Sequence, residues 1–213
     1  PMIDYIYRQL AAMPRIRRVS VVTNNRFAAQ FADWAASHAG EKAIAVVNDG
    51  TTSDADKLGA IGDIRLTIQR NAIDDDLLVV AGDNLFDFPL SQFVDFFDLH
   101  GSCVGLYDTG DLAIMSQYAT VELDGQERIV SFREKPRDPT STLAATAIYL
   151  FKREHLALIE RYAQEEGNMD APGYYLQWLT KQVPVYGFKL PGAWRDIGNL
   201  EQYRQAQKAY RAR

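Results

Sequence analysis

Leu77-Leu78-Val79-Val80-Ala81-Gly82-Asp83 is the stretch whose reading decides the fold. An apolar, β-rich run that stops at a glycine and then a carboxylate reads as a short buried strand. Its carboxylate then falls at the C-terminal edge of a sheet, where open α/β proteins bind their ligands. Working outward, residues 18–23 and 43–47 carry the same buried-strand pattern. Helices are expected over 3–13, 27–38, 57–70 and 90–99. In the third of these, Leu58, Ile61, Ile64 and Ile68 recur at spacings of three and four. Strand and helix therefore alternate through the first half, which predicts an α/β protein with a parallel sheet covered by helices on both faces.

The second half changes rhythm. Strands are expected over 104–107, 118–123, 129–132 and 144–151, with Asp124-Gly125 as a hairpin turn. Helices follow at 155–164 and 174–181, then a strand at 183–188 and a last helix at 200–210. With no repeat, low-complexity tract or long linker, residues 1–213 read as one continuous domain. The chain opens on Pro1-Met2-Ile3 and runs directly into a helix, so the domain is expected to lack its first strand–helix unit.

Composition narrows the function. The net charge of -5 argues against general affinity for nucleic acid or anionic lipid. No stretch approaches the ~20 apolar residues of a membrane span, and no secretory signal is present. A cytoplasmic protein is the expectation. The single cysteine, Cys103, lies in an apolar run and reads as a core residue.

The Gly-Asp pattern returns as Trp194-Arg195-Asp196-Ile197-Gly198. Asp83 and Asp196 would suit a shared hard cation over a phosphate. The competing reading makes Asp83 a turn residue and Asp196 the cap of the helix that starts near Asn199. Between them lies Glu134-Lys135-Pro136, where Pro136 ends the preceding strand. A carboxylate there would accept hydrogen bonds from sugar hydroxyls, and the lysine would meet a phosphate as a point charge. A solvated charge pair is the plainer alternative.

Several other residues have structural readings. Asp170 is expected to cap the helix that contains Pro172. Arg15, Arg17 and Arg18 read as a solvated turn, and Asp74-Asp75-Asp76 as an acidic turn. His38 and His100 read as helix ends, and His155 as a surface helix residue. Trp178 and Leu179 read as core. Trp194 either walls the site or buries the loop that holds Asp196.

Taken in order, a strand ending in Gly-Asp, Glu-Lys-Pro about fifty residues on, the strand Ala147-Ile148-Tyr149-Leu150-Phe151, and Trp-x-Asp-x-Gly before a last helix resemble the sugar-phosphate nucleotidylyltransferases. The resemblance runs along nearly the whole chain. It implies a Rossmann-like three-layer α/β/α sandwich with a mixed, mostly parallel sheet. It also implies transfer of a nucleoside monophosphate from an NTP to a sugar 1-phosphate, with pyrophosphate released. Asp83 and Asp196 would bind Mg²⁺, Glu134 the sugar hydroxyls and Lys135 the sugar phosphate. Gly50 and Thr51, within Asp49-Gly50-Thr51-Thr52, would lie near the base or ribose. Gly82 would line the site, and Tyr149 would lie near the sugar. The partners would be a nucleoside triphosphate and a sugar 1-phosphate, with room for a homo-oligomer.

Three departures from the family pattern are visible. Its N-terminal glycine-rich phosphate loop is absent, so these residues alone are expected to bind nucleotide poorly and to be inactive. Ala147 replaces a glycine, and the segment 51–56 is longer and more acidic than usual. These leave two alternatives: a cytidylyltransferase for a phosphorylated alcohol such as phosphocholine, or a non-catalytic nucleotide- or sugar-binding regulatory domain.

Overall fold

The computed structural model describes residues 1–40, 42–165 and 168–211. In chain order the first half contains α1 (Met2–Ala12), β1 (Arg18–Thr23), α2 (Ala28–Ser37), β2 (Ala43–Asn48), α3 (Ala60–Arg70), β3 (Leu77–Val80), β4 (Asn84–Phe86), α4 (Leu90–His100) and β5 (Cys103–Asp108). The second contains β6 (Thr120–Leu123), β7 (Ile129–Arg133), β8 (Leu143–Phe151), α5 (Ala157–Glu165), α6 (Pro172–Gln182), β9 (Tyr186–Lys189), β10 (Trp194–Asp196) and α7 (Leu200–Arg211). Short 3₁₀ turns fill Leu112–Gln117 and Arg153–His155.

Strand β8 organises the main sheet. It pairs antiparallel with β3, Val79 opposite Tyr149, and antiparallel with β5, Val104 opposite Tyr149. It also meets β6 at Ala144. Strand β9 lies parallel to β5, and β7 closes a hairpin with β6. Thus β3, β5, β6 and β9 run one way and β7 and β8 the other, a mixed sheet in which most strands share a direction.

The two-residue period of the strands sorts side chains between two helical layers. Ile148 and Leu150 of β8 pack with Leu78 and Val80 of β3 against Phe93, Val94 and Phe97 of α4 and Ile6 of α1. Tyr149 and Phe151 pack with Leu77 and Val79 against Ile61 and Ile64 of α3, Ile159 and Tyr162 of α5, and Tyr175 and Leu176 of α6. The result is the α/β/α three-layer, Rossmann-like arrangement expected from the sequence. Cys103, Trp178 and Leu179 are buried, as their apolar surroundings implied.

Strands β1 and β2 form a separate parallel pair, with Val21 opposite Val46. Among the described residues no strand ladder joins that pair to the main sheet. Side chains make the attachment instead. Arg17 pairs with Asp75, Asn71 donates to Ser20 Oγ at 2.9 Å, and Arg70 donates to the Asn48 carbonyl. Arg15 pairs with Asp98; Arg15, Arg17 and Arg18 are exposed, as expected of a solvated turn, and the first two also form ion pairs across the sequence. Asp74 holds Arg153, which ties the acidic turn to the end of β8.

The structure corrects several boundaries. The helix expected over 57–70 begins at Ala60, because Gly59 sits at φ +78°, outside helical space for other residues. Lys57 and Leu58 lie before it and are exposed. The strand expected over 183–188 begins at Tyr186, since Val183 still bonds back to Leu179 and Pro184 has no N–H to give a ladder. His155 is not a surface helix residue: it lies in a 3₁₀ turn, with Nδ1 2.7 Å from Ser102 Oγ. Strands β4 and β10 were not foreseen.

Candidate functional site

Strand β3 ends at Val80, and the chain turns at once through Ala81 to Asn84, whose N–H donates to the Ala81 carbonyl at 3.2 Å. Asp83 lies inside that turn, so the turn reading of this residue is correct as far as its backbone goes. The next three residues are β4, which pairs antiparallel with β10. In that ladder Asn84 stands opposite Asp196 and Phe86 opposite Trp194. The Ile197 N–H donates to the Asp83 carbonyl at 3.0 Å and continues the pairing past the strand. Two aspartates more than a hundred residues apart are thereby brought to one edge. Asp196 is therefore a strand residue, not a helix cap; Asn199 fills that role, its Oδ1 accepting from the Gln202 N–H at 2.9 Å.

Asn84 is buried although polar, and both ends of its amide are used. Its Nδ2 donates to Asp83 Oδ1 at 2.9 Å, and its Oδ1 accepts from the Trp194 indole N–H. Trp194 thus fixes Asn84, and Asn84 fixes one oxygen of Asp83. Among the described residues the other oxygen of Asp83 and both oxygens of Asp196 accept no hydrogen bond. These free oxygens are hard donors on an open surface. A small divalent cation commonly takes one or two carboxylates and completes its shell with water and substrate phosphates, so the donor set fits one. Among the described residues no cluster of three or more acidic, histidine or cysteine side chains exists to cage a metal on protein ligands alone.

The electrostatics show which groups face one another. The Asp196 carboxyl pKa is raised by the atoms packed around it and further by the Asp83 charge, while Lys135 pulls it back down. Burial raises the Glu134 carboxyl, again against Lys135. The phenol of buried Tyr149 is driven up by desolvation, with Glu134 and Asp83 adding to the effect. Asp83, Asp196, Lys135, Glu134 and Tyr149 therefore form one electrostatic neighbourhood at the end of β3.

Lys135 holds an unusual backbone, φ +42°, immediately before Pro136. A lysine in the left-handed region costs about 1 kcal/mol or more, and such residues concentrate at functional sites. Glu134 lies one residue past β7 and is half-buried against α6: its N–H faces Gln177 Oε1 at 3.4 Å.

Gly50 and Thr51 lie elsewhere. They follow β2, where the Gly50 N–H donates to Asn48 Oδ1 and the Thr51 N–H and hydroxyl both donate to Asp49 Oδ1. The Thr51 carbonyl accepts from the Asn25 N–H at 3.0 Å. Among the described residues these two make no hydrogen bond to the Asp83 group. Gly82 is exposed beside Asp83 with open space around it. Asp170 is not a helix cap. Ala171 occupies that position in α6, with Pro172 first in the helix, and Asp170 pairs with Lys57 at 2.9 Å.

Two glycines were missed in the sequence. Gly59 packs against the 169–170 backbone, 2.6 Å from Asp170 Cα if it carried a Cβ. The Ala60 and Ile61 N–H groups that follow it donate to the Asp170 and Met169 carbonyls at 3.3 and 3.0 Å, closing the start of α3. Gly173, in the first turn of α6, lies directly under the Glu134 carboxylate. Neither contact has a local signature, because each joins segments distant in sequence.

Comparison with known proteins agrees with this geometry. A profile described as nucleotidyl transferase matches residues 1–213. The bifunctional protein GlmU of Methanocaldococcus jannaschii is 28% identical over 139 residues, which is 65% of this chain and 32% of that protein. The glucose-1-phosphate adenylyltransferase of Thermotoga neapolitana is 29% identical over 141 residues, 61% of this chain and 32% of that one. The chain thus matches over about a third of the length of these curated relatives. A solved structure of apo UDP-glucose pyrophosphorylase superposes with a TM-score of 0.81 at 18% identity, covering 100% of this chain and 87% of that one. The fold is the same, and the profile match spans the glycine–aspartate turn, the Glu-Lys-Pro segment and the Trp-Arg-Asp strand together: the chain belongs to the nucleotidyl transferase family.

Proposed function

We propose that this protein transfers a nucleoside monophosphate from a nucleoside triphosphate to a sugar 1-phosphate. The observation that supports the reading is the β4–β10 ladder, in which Asp196 stands opposite Asn84, the residue after Asp83, with the Asp83 and Lys135 charges both acting on the Asp196 carboxyl. In the reaction a phosphate oxygen of the sugar 1-phosphate attacks the α-phosphorus. The bond from that phosphorus to the bridging oxygen breaks, and pyrophosphate leaves with the electron pair. No proton has to be removed from the nucleophile, because a phosphate monoester is largely ionised at neutral pH.

Asp83 and Asp196 would hold Mg²⁺, which supplies charge neutralisation and orientation at the α-phosphate. Lys135 attracts the sugar phosphate against the repulsion of the two anions and aligns it. Glu134 accepts hydrogen bonds from the sugar hydroxyls, and Tyr149 walls the sugar. Gly50 and Thr51, in the loop that follows β2, would serve the nucleotide.

The test, made on the full-length protein, is pyrophosphate release from ATP, UTP, dTTP and CTP, each with glucose 1-phosphate and with phosphocholine, in Mg²⁺ and after chelation by EDTA. Expected is turnover with the sugar phosphate, abolished by chelation and by Asp83→Asn or Asp196→Asn with the far-UV spectrum unchanged. Turnover on phosphocholine alone, or undiminished rates in both variants, overturns the reading.

A further inference from the structure

Glu134 owes its position to a missing side chain on a neighbouring helix. Gly173 is buried in the first turn of α6, and Glu134 projects onto it from the end of β7. A Cβ built on Gly173 would lie 2.6 Å from Glu134 Cδ and 3.4 Å from its Cγ, and closer still to Oε2. Cβ atoms do not approach other atoms that closely, so any larger residue here evicts the carboxylate. Two further features keep the carboxylate in place. The Glu134 N–H faces Gln177 Oε1, one turn further along the same helix. The positive end of the helix dipole also favours a negative charge close by.

The start of α6 is itself held. Asp170 is paired with Lys57, and the Met169 and Asp170 carbonyls close the start of α3. The backbone at Gly173 is therefore hindered from drifting aside when a side chain is added there. The displacement falls on Glu134.

We propose that Gly173 is a positioning residue that sets where the Glu134 carboxylate stands, and through it the binding of the sugar 1-phosphate. This rests on the reading of Glu134 as the acceptor for sugar hydroxyls. The nucleotide does not depend on that contact, so its binding is unaffected. Displacing a group by about 1 Å can cost on the order of a hundredfold in a positioned reaction, so a loss of ten- to a hundredfold is expected.

The experiment measures glucose 1-phosphate and nucleoside triphosphate binding separately, by calorimetry in Mg²⁺, for Glu134→Gln, Gly173→Ala, Gly173→Ala with Glu134→Asp, and Gly173→Ala with Glu134→Ala. Thermal unfolding is recorded for each. Expected is weaker sugar-phosphate binding in both single variants with the nucleotide unchanged. The shorter aspartate should recover part of the binding lost in Gly173→Ala. Removing the carboxylate should restore the melting temperature that Gly173→Ala lowers. If Glu134→Gln weakens binding and Gly173→Ala does not, the role given to Gly173 is wrong while that of Glu134 stands. If Glu134→Gln changes nothing, the reading of Glu134 fails and the proposal falls with it. Should Gly173→Ala fail to fold, failure of the Glu134→Ala double variant to regain structure also refutes the contact.

Discussion

Asn84 stands opposite Asp196 in the β4–β10 ladder while its side chain donates to Asp83 at 2.9 Å. One buried residue is thus the strand partner of one candidate metal ligand and the hydrogen-bond donor to the carboxylate of the other. Such outer-shell partners typically change metal affinity or activity by about 10–100-fold when removed.

Asn84→Ala is therefore expected to raise the Mg²⁺ concentration needed for half-maximal pyrophosphate release by roughly tenfold or more. The variant also leaves the Trp194 indole N–H without its acceptor, so the tryptophan fluorescence should shift. A Mg²⁺ titration followed by both signals checks this. An unchanged titration would show that Asp83 needs no such support.

Glu134 carries a carboxyl pKa raised by burial. Hydroxyl groups donate to the ionised form, and protonation removes acceptor capacity. As pH falls through that raised value, sugar-phosphate binding should weaken, at a higher pH than an ordinary carboxylate would require. The KM for glucose 1-phosphate should climb on the acid side while the KM for the triphosphate follows its own course. Glu134→Gln should lack this limb of the profile, which separates it from the ionisation of the sugar phosphate itself.

Asp63, in the first turn of α3, is pushed up to about 6 by burial, with the Asp49 charge adding to it. Its Oδ1 is buried, and among the described residues it has no hydrogen-bond partner. The folded state holds this proton more tightly than the unfolded chain, whose carboxyl titrates near 3.8. Stability contributed here is complete below the unfolded value and is lost as pH rises through the folded one. Asp63→Asn should raise stability at neutral pH by about 1 kcal/mol, a figure reduced for partial solvent screening. Urea unfolding at pH 5 and pH 7.5 checks the sign: the gain must be larger at the higher pH.

Much of this fold was legible because its strands and helices are periodic. The runs at Leu77–Val80 and Leu143–Phe151 are apolar on both sides, as strands between two helical layers must be. The helix expected over 57–70 ran too far back because Leu58 keeps the right spacing, although the left-handed Gly59 breaks the helix first. Strands β4 and β10 are three residues each and carry no period of their own. They exist only because they pair with each other, and they are what brings Asp83 to Asp196. Glu134 and Lys135 stood out through Pro136, which ends a strand wherever it falls in one. The socket at Gly173 had no such mark, since a glycine at a helix start looks the same whether or not something leans on it.

The separate β1–β2 pair has a dynamic consequence. Among the described residues its strand ladder is confined to the pair, and Arg17, Arg70 and Asn71 side chains form polar ties to the rest. Deuterium should enter β1 and β2 through a local opening well before it reaches β5 and β8, which need the main sheet to come apart. The loop with Gly50 and Thr51 follows β2 directly, so its backbone should exchange along with that pair while the strands around Tyr149 stay protected.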